Sequence, residues 1–160
     1  MQEKSTDINV RGYWPRVVAS GAMLLATDAL SPERTVGSYM LSACDVSKSQ
    51  LSEFAHLHGS SELLLTFAMT YDDYAEQLLK QRIFDTWLQR NVTVLREMIY
   101  SEGFGEMCTN LSHAERTQLT IKWAENMQLY ILTVDELRGT FVIPSILKVN
   151  SSLNVIITLT

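Results

Sequence analysis

Only two cysteines, Cys44 and Cys108, occur in the 160 residues, with no CxxC pair and no cysteine–histidine cluster. That excludes a structural zinc knot and a dense disulfide framework, and the expectation is two reduced thiols. Basic residues are the minority charge. Thirteen Lys and Arg against 18 Asp and Glu give a formal net charge of −5, so the surface as a whole repels phosphate. Nucleic-acid contact must then be local or shared with a more basic partner. The longest apolar run, Val17 to Leu30, is interrupted by Ser20, Gly21, Thr27 and Asp28 and falls short of the roughly 18 to 20 residues of a membrane span. The opening residues MQEKSTDINVRGYW carry neither the basic start nor the apolar stretch of a secretory signal, which predicts a cytoplasmic protein.

What is present is helical patterning. Hydrophobic residues make up 46% of the chain, enough for a buried core. Residues 1–12 are polar and read as a flexible arm. Val17 to Ala29 fits a helix that Ser31-Pro32-Glu33 closes before another begins and runs to about Leu41. Ser47 with Gln50 makes a capping-box pattern for a helix over about 48–57, ended by Gly59-Ser60-Ser61. Leu63, Leu64, Phe67, Ala68, Tyr71, Tyr74, Ala75, Leu78 and Leu79 keep helical spacing, as do Ile83, Phe84, Trp87 and Leu88. Val92-Thr93-Val94 marks a break, and Gly103 with Gly105 a firmer stop. Ser112 and Glu115 form a second capping box, followed by an apolar stripe of Leu119, Trp123, Ala124 and Met127. Tyr130 to Val134 and Phe141 to Ile143 look extended, and 153–160 fits strand or helix equally. The fold class is therefore mainly α: a bundle-like domain with a candidate helix-turn-helix hairpin near 32–57 and a short mixed or extended C-terminal segment. Its divisions are the 1–12 arm, a 13–70 helical region and a 71–160 helical region.

No catalytic set emerges, and the expectation is a protein that is not an enzyme and uses no cofactor or metal. His56, His58 and Glu62 have ligand chemistry, but the spacing of two puts the imidazoles on different helix faces. Asp72 and Asp73 follow Thr70 where a helix N-terminus rewards negative charge, so they read as helix electrostatics. Met40, Cys44, Val46, Leu51 and Phe54 sit where a helix-turn-helix buries its contacts, offering Lys48 and Gln50 to DNA, with Lys148 and Asn150 as C-terminal candidates. Trp87, Leu88, Leu95, Ile99, Trp123 and Met127 give more apolar helix surface than a short chain buries alone and are the candidate oligomer interface.

The stretch Gly103 to Leu129, GFGEMCTNLSHAERTQLTIKWAENMQL, resembles the FlhD subunit of the bacterial FlhD/FlhC-type activators, which control flagellar or conjugative-transfer genes. The closest part is Lys122, Ala124, Glu125, Gln128 and Leu129, read as KxAExxQL, with Gly103, Glu106 and Asn110 in register upstream and Thr140 and Leu153 downstream. The likeness spans about residues 71–160. Ile131 stands where well-known members carry a linking cysteine, and residues 1–70 have no counterpart. The resemblance implies a homodimer that joins an FlhC-like partner, binds promoter DNA as a complex and contacts RNA polymerase. The alternative is a non-enzymatic helical adaptor or anti-activator that binds protein and not DNA.

Overall fold

Small residues set the shape of this molecule. Ala19, Ala22 and Ala26 on the first helix are buried, and Gly37 lies under the indole of Trp123. Their low bulk lets that helix approach its neighbours closely. A computed structural model describes the backbone from Glu3 to Thr158 and the side chains from 13 to 140. The elements are α1 (Glu3–Ala43), α2 (Lys48–Tyr71), α3 (Asp73–Leu79), a π-helical turn (Lys80–Phe84), α4 (Trp87–Tyr100), α5 (Phe104–Asn110) and α6 (His113–Thr158). The chain is helical, with no strand among the described residues.

Four rods pack side by side. α1 turns through residues 44–47 into antiparallel α2, and Cys44 closes the turn in the left-handed region at φ 51°. α3, the π-turn and α4 form the third rod, and α6 is the fourth. Arg82 to Glu136 at 3.4 Å and Asn91 to Asn126 at 3.5 Å set the third rod antiparallel to α6. α1 packs most closely on α2 and α6, whereas α4 stands further from α2. One core takes Met23, Leu30, Phe54 and Leu65 from before residue 70 and Leu79, Leu95, Ile99 and Trp123 from after it.

Several sequence expectations change. α1 runs unbroken through Pro32, which forfeits one helical N–H bond but keeps the buried face from Ala19 to Leu41 continuous. The expected end at Gly59-Ser60-Ser61 is interior to α2, where Ser61 is buried and its hydroxyl donates to the His58 carbonyl at 2.9 Å. Val92 to Val94 lies inside α4, with Val92 in the core. Tyr130 to Val134 is helical and Phe141 to Ile143 continues the same helix, because Trp123, Met127, Tyr130, Val134 and Leu137 extend one buried stripe. The hairpin near 32–57 joins two long antiparallel bundle helices, so it presents no short recognition helix. The helix also begins at Glu3, within the stretch read as an arm, and continues through residues 153–158.

Other signals hold. The Ser112 N–H donates to Glu115 Oε2 at 2.7 Å and the Glu115 N–H to Ser112 Oγ at 3.2 Å, completing the capping box. Those bonds hold the Glu115 carboxyl below its usual range. Asp72 caps α3 by accepting from the Ala75 N–H at 3.0 Å. Gly103 ends the α4 connection at φ 77°, a conformation that favours glycine.

The thiols are not free: Cys44 and Cys108 form a disulfide that ties the end of α1 to α5 across 64 residues. Spacing alone could not show this, since the two meet only once α5 folds back on the α1–α2 turn. Replacing both by Ser should cost roughly 2–5 kcal/mol in urea melts, as expected for a crosslink closing a long loop. A loss near zero would mean the crosslink contributes nothing. At the α1–α6 contact, the Trp123 indole N–H donates to the Arg34 carbonyl at 3.0 Å, and a Cβ on Gly37 would lie 2.5 Å from the ring. Trp123→Ala should therefore cost about 3–5 kcal/mol, and Gly37→Ala about 1–3 kcal/mol through overpacking, both read from the same melts.

Candidate functional site

Glu33 and Arg96 are charged residues placed at core positions. Glu33 follows Ala26 and Leu30 and precedes Met40 on the inward face of α1, and Arg96 lies between Val92, Leu95 and Ile99 on the inward face of α4. The carboxylate is 0% exposed and the arginine 6%. Arg96 Nε donates to Glu33 Oε1 at 2.7 Å and Nη2 to Oε2 at 3.0 Å, a bidentate fork across the bundle. Burial pushes the Glu33 carboxyl above its usual range, and the hydrogen bond and charge of Arg96 pull against it. This pair was not foreseen. The signal that could have revealed it is phase: both residues share a helical face with apolar neighbours.

Above the pair, in the gap between α2 and α4, lies a cavity of about 210 Å³. Arg96, Gln89 and Thr93 line it from α4, His58 and Ser61 from α2, and Tyr130 from α6. The Tyr100 hydroxyl and His58 Nδ1 are 3.1 Å apart and their rings stack, while His58 Nε2 lies 3.6 Å from Glu62. Burial lowers the His58 imidazole, pushes the Tyr100 hydroxyl up to about 12, and raises that of Tyr130. Glu62 and Glu97 stand exposed at the mouth. With Glu33 below, three carboxylates surround one arginine, so this cavity is unfavourable for a simple anion.

The next residue along α1 behaves differently. One step turns the side chain about 100° around the helix, and Arg34 leaves the core for the α1–α6 seam. Its Nη1 donates to the Gln128 Oε1, a neutral partner, and among the described residues it makes no ion pair. It is half-buried, beside an open surface pocket of about 440 Å³ whose lining includes Ser31, Thr35 and Glu53. Lys80, Arg82 and Arg138, by contrast, are each paired with a carboxylate.

The sequence-predicted residues fall in separate places. Leu88, Leu95, Ile99, Trp123 and Met127, expected as an oligomer interface, are buried in the bundle core, and Trp87 alone of that set is exposed, at 53%. Lys48 and Gln50 occupy the first turn of α2, with the Gln50 N–H donating to the Ser47 cap at 3.5 Å. Lys148 and Asn150 lie outside the residues whose side chains are described. Among the described residues no His, Cys, Asp and Glu group could hold a metal, and no helix is long and apolar enough to cross a membrane.

The energetic asymmetry of a buried ion pair gives a prediction. Removing one partner leaves an uncompensated charge, so Glu33→Leu or Arg96→Met alone should cost about 3–5 kcal/mol. The double variant Glu33→Leu/Arg96→Met should recover most of that loss in denaturant melts. Additive losses would show that the two groups do not depend on each other.

The family described as nitrate and nitrite sensing matches residues 2–140. No curated protein and no solved structure matches the chain. The family match overturns the FlhD resemblance, and with it the reading as a DNA-binding transcriptional activator of flagellar or transfer genes. The expectations of an FlhC-like partner, promoter DNA and RNA polymerase rested on that resemblance. Its motif occupies the outer side of α6, where Lys122, Glu125 and Leu129 are exposed, and good helix formers recur on such surfaces irrespective of ancestry. With a match across most of its length, the chain belongs to the nitrate- and nitrite-sensing family.

Proposed function

We propose that this bundle is a sensing module that binds nitrate or nitrite at Arg34 on the α1–α6 seam and acts by binding, without catalysis. The observation that carries the reading is a half-buried guanidinium held by the neutral Gln128 amide and by no carboxylate among the described residues. Nitrate and nitrite are small planar oxyanions, and a guanidinium fork meets two of their oxygens at once. The Gln128 amide nitrogen supplies further donors beside it. Arg96 is the weaker candidate, because Glu33 already takes one edge of its fork and two further carboxylates, Glu62 and Glu97, line its cavity, against the single Glu53 in the pocket beside Arg34.

Arg34 lies on α1 and its partner Gln128 on α6, so an anion that engages both side chains bridges the two helices. These helices are antiparallel, so Glu3 and Thr158 lie towards the same end of the molecule. An anion that favours one axial offset of α1 against α6 over another would shift the population of arrangements at that end.

Thermal melts in sodium nitrate, nitrite and chloride at matched ionic strength test the proposal. Nitrate or nitrite at a hundredfold its Kd should add about 2.7 kcal/mol of stability, and chloride should add none. Arg34→Gln should fold normally and lose the response. A full response in Arg34→Gln would move the site elsewhere, and no response to either anion at millimolar concentration would overturn the sensing role.

A further inference from the structure

We propose that the cavity between α2 and α4 is a second ligand site, separate from Arg34, and that it takes a small zwitterion of the α-amino-acid type. Its deepest charged group is Arg96. Two of the five guanidinium N–H groups are engaged by Glu33, through Nε and Nη2, which leaves the Nη1 pair and one Nη2 N–H without a partner among the described residues. At the same time the Glu97 carboxylate lines the cavity, exposed and without a partner among the described residues. An open donor edge and an exposed carboxylate, Glu97, thus line one partly open space.

The charges choose the ligand. A simple carboxylate would satisfy Arg96 but face Glu33, Glu62 and Glu97. A simple amine would suit Glu97, which has no partner among the described residues, yet would leave the arginine edge unused and add its charge to that side. A molecule carrying both groups places its carboxylate on Arg96 and its ammonium towards Glu97. The size agrees, since about 210 Å³ is below the roughly 300–1,000 Å³ of pockets for drug-sized ligands. Phe84, which lines the cavity from the last residue of the π-turn, supplies an apolar wall. Irregular π-helical turns inside α-helical rods are frequent at functional sites.

The test is calorimetry and thermal melts of the full chain with glycine, L-alanine and L-glutamine, against propionate and ethylamine as single-charge probes. At least one amino acid should bind and raise the melting midpoint, with propionate and ethylamine each weaker by about tenfold or more. Glu97→Gln alters an exposed residue, so it should melt like the parent without ligand and bind the amino acid about tenfold less tightly. Arg34→Gln should bind the amino acid as the parent does, which separates this site from the oxyanion site. Ethylamine or propionate matching the amino acids would overturn the zwitterion assignment. Unchanged binding in Glu97→Gln would place the ligand elsewhere, and no binding by any of the three amino acids would reduce the cavity to a water pocket.

Discussion

The bidentate pairing of Glu33 with Arg96 is the constraint on which the arrangement of this bundle depends. Two charges at the centre of an apolar core are tolerated only if each finds the other in good geometry, so α1 and α4 must keep one rotation and one height. Leu30 and Met40 are held inward on α1 by the same rotation, and Val92 and Ile99 on α4. The pair need not add net stability to matter. Its contribution is that competing packings of the same helices would strand a buried charge, a cost that apolar contacts alone do not impose.

Adjacent residues share that rotation. If Glu33 points to the core, Arg34 must point about 100° away, and the seam with α6 lies there, where Gln128 and Trp123 meet it. The core pair therefore orients the seam arginine without touching it. Arg96 is locked by a carboxylate, whereas Arg34 is steadied by a neutral amide and keeps its charge for something else. Overall charge gives no hint of this difference: the net −5 disfavours extended polyanions over the whole surface, while a small anion responds to one local guanidinium.

Much of the helical fold was legible because its signals are local. The Ser112–Glu115 box and the Trp123–Met127 stripe depend on residues three or four apart and are realised as read, and Asp72, read as helix electrostatics, caps α3. The misplaced boundaries share one cause. Pro32, Gly59 and the Val92–Val94 run carry local penalties, about 3 kcal/mol at Pro32 and less at the others, and burial of a continuous face along α1, α2 or α4 outweighs each of them. The site was illegible for a different reason. Glu33 and Arg96 are 63 positions apart, and Arg34 and Gln128 are 94, so no window on the sequence contains both partners. Reading Ser31-Pro32-Glu33 as a helix boundary was locally reasonable and globally mistaken, since α1 runs through it with Glu33 facing the core.

The two seams also differ mechanically. At α1–α6 the indole of Trp123 lies on Gly37 with no room for a methyl group, so that contact resists any change in spacing. At α2–α4 the helices stand apart and the gap is filled by polar side chains around a cavity. A close-packed interface transmits a small displacement along its length, while a loosely filled one absorbs it. An anion held at Arg34 acts on the stiff seam, which joins the two longest helices, of 41 and 46 residues, and so is the one able to carry a shift along the rod. Occupying the α2–α4 cavity would instead replace slack with contacts, and its effect would reach α1 through the Glu33–Arg96 fork, one residue from the seam arginine.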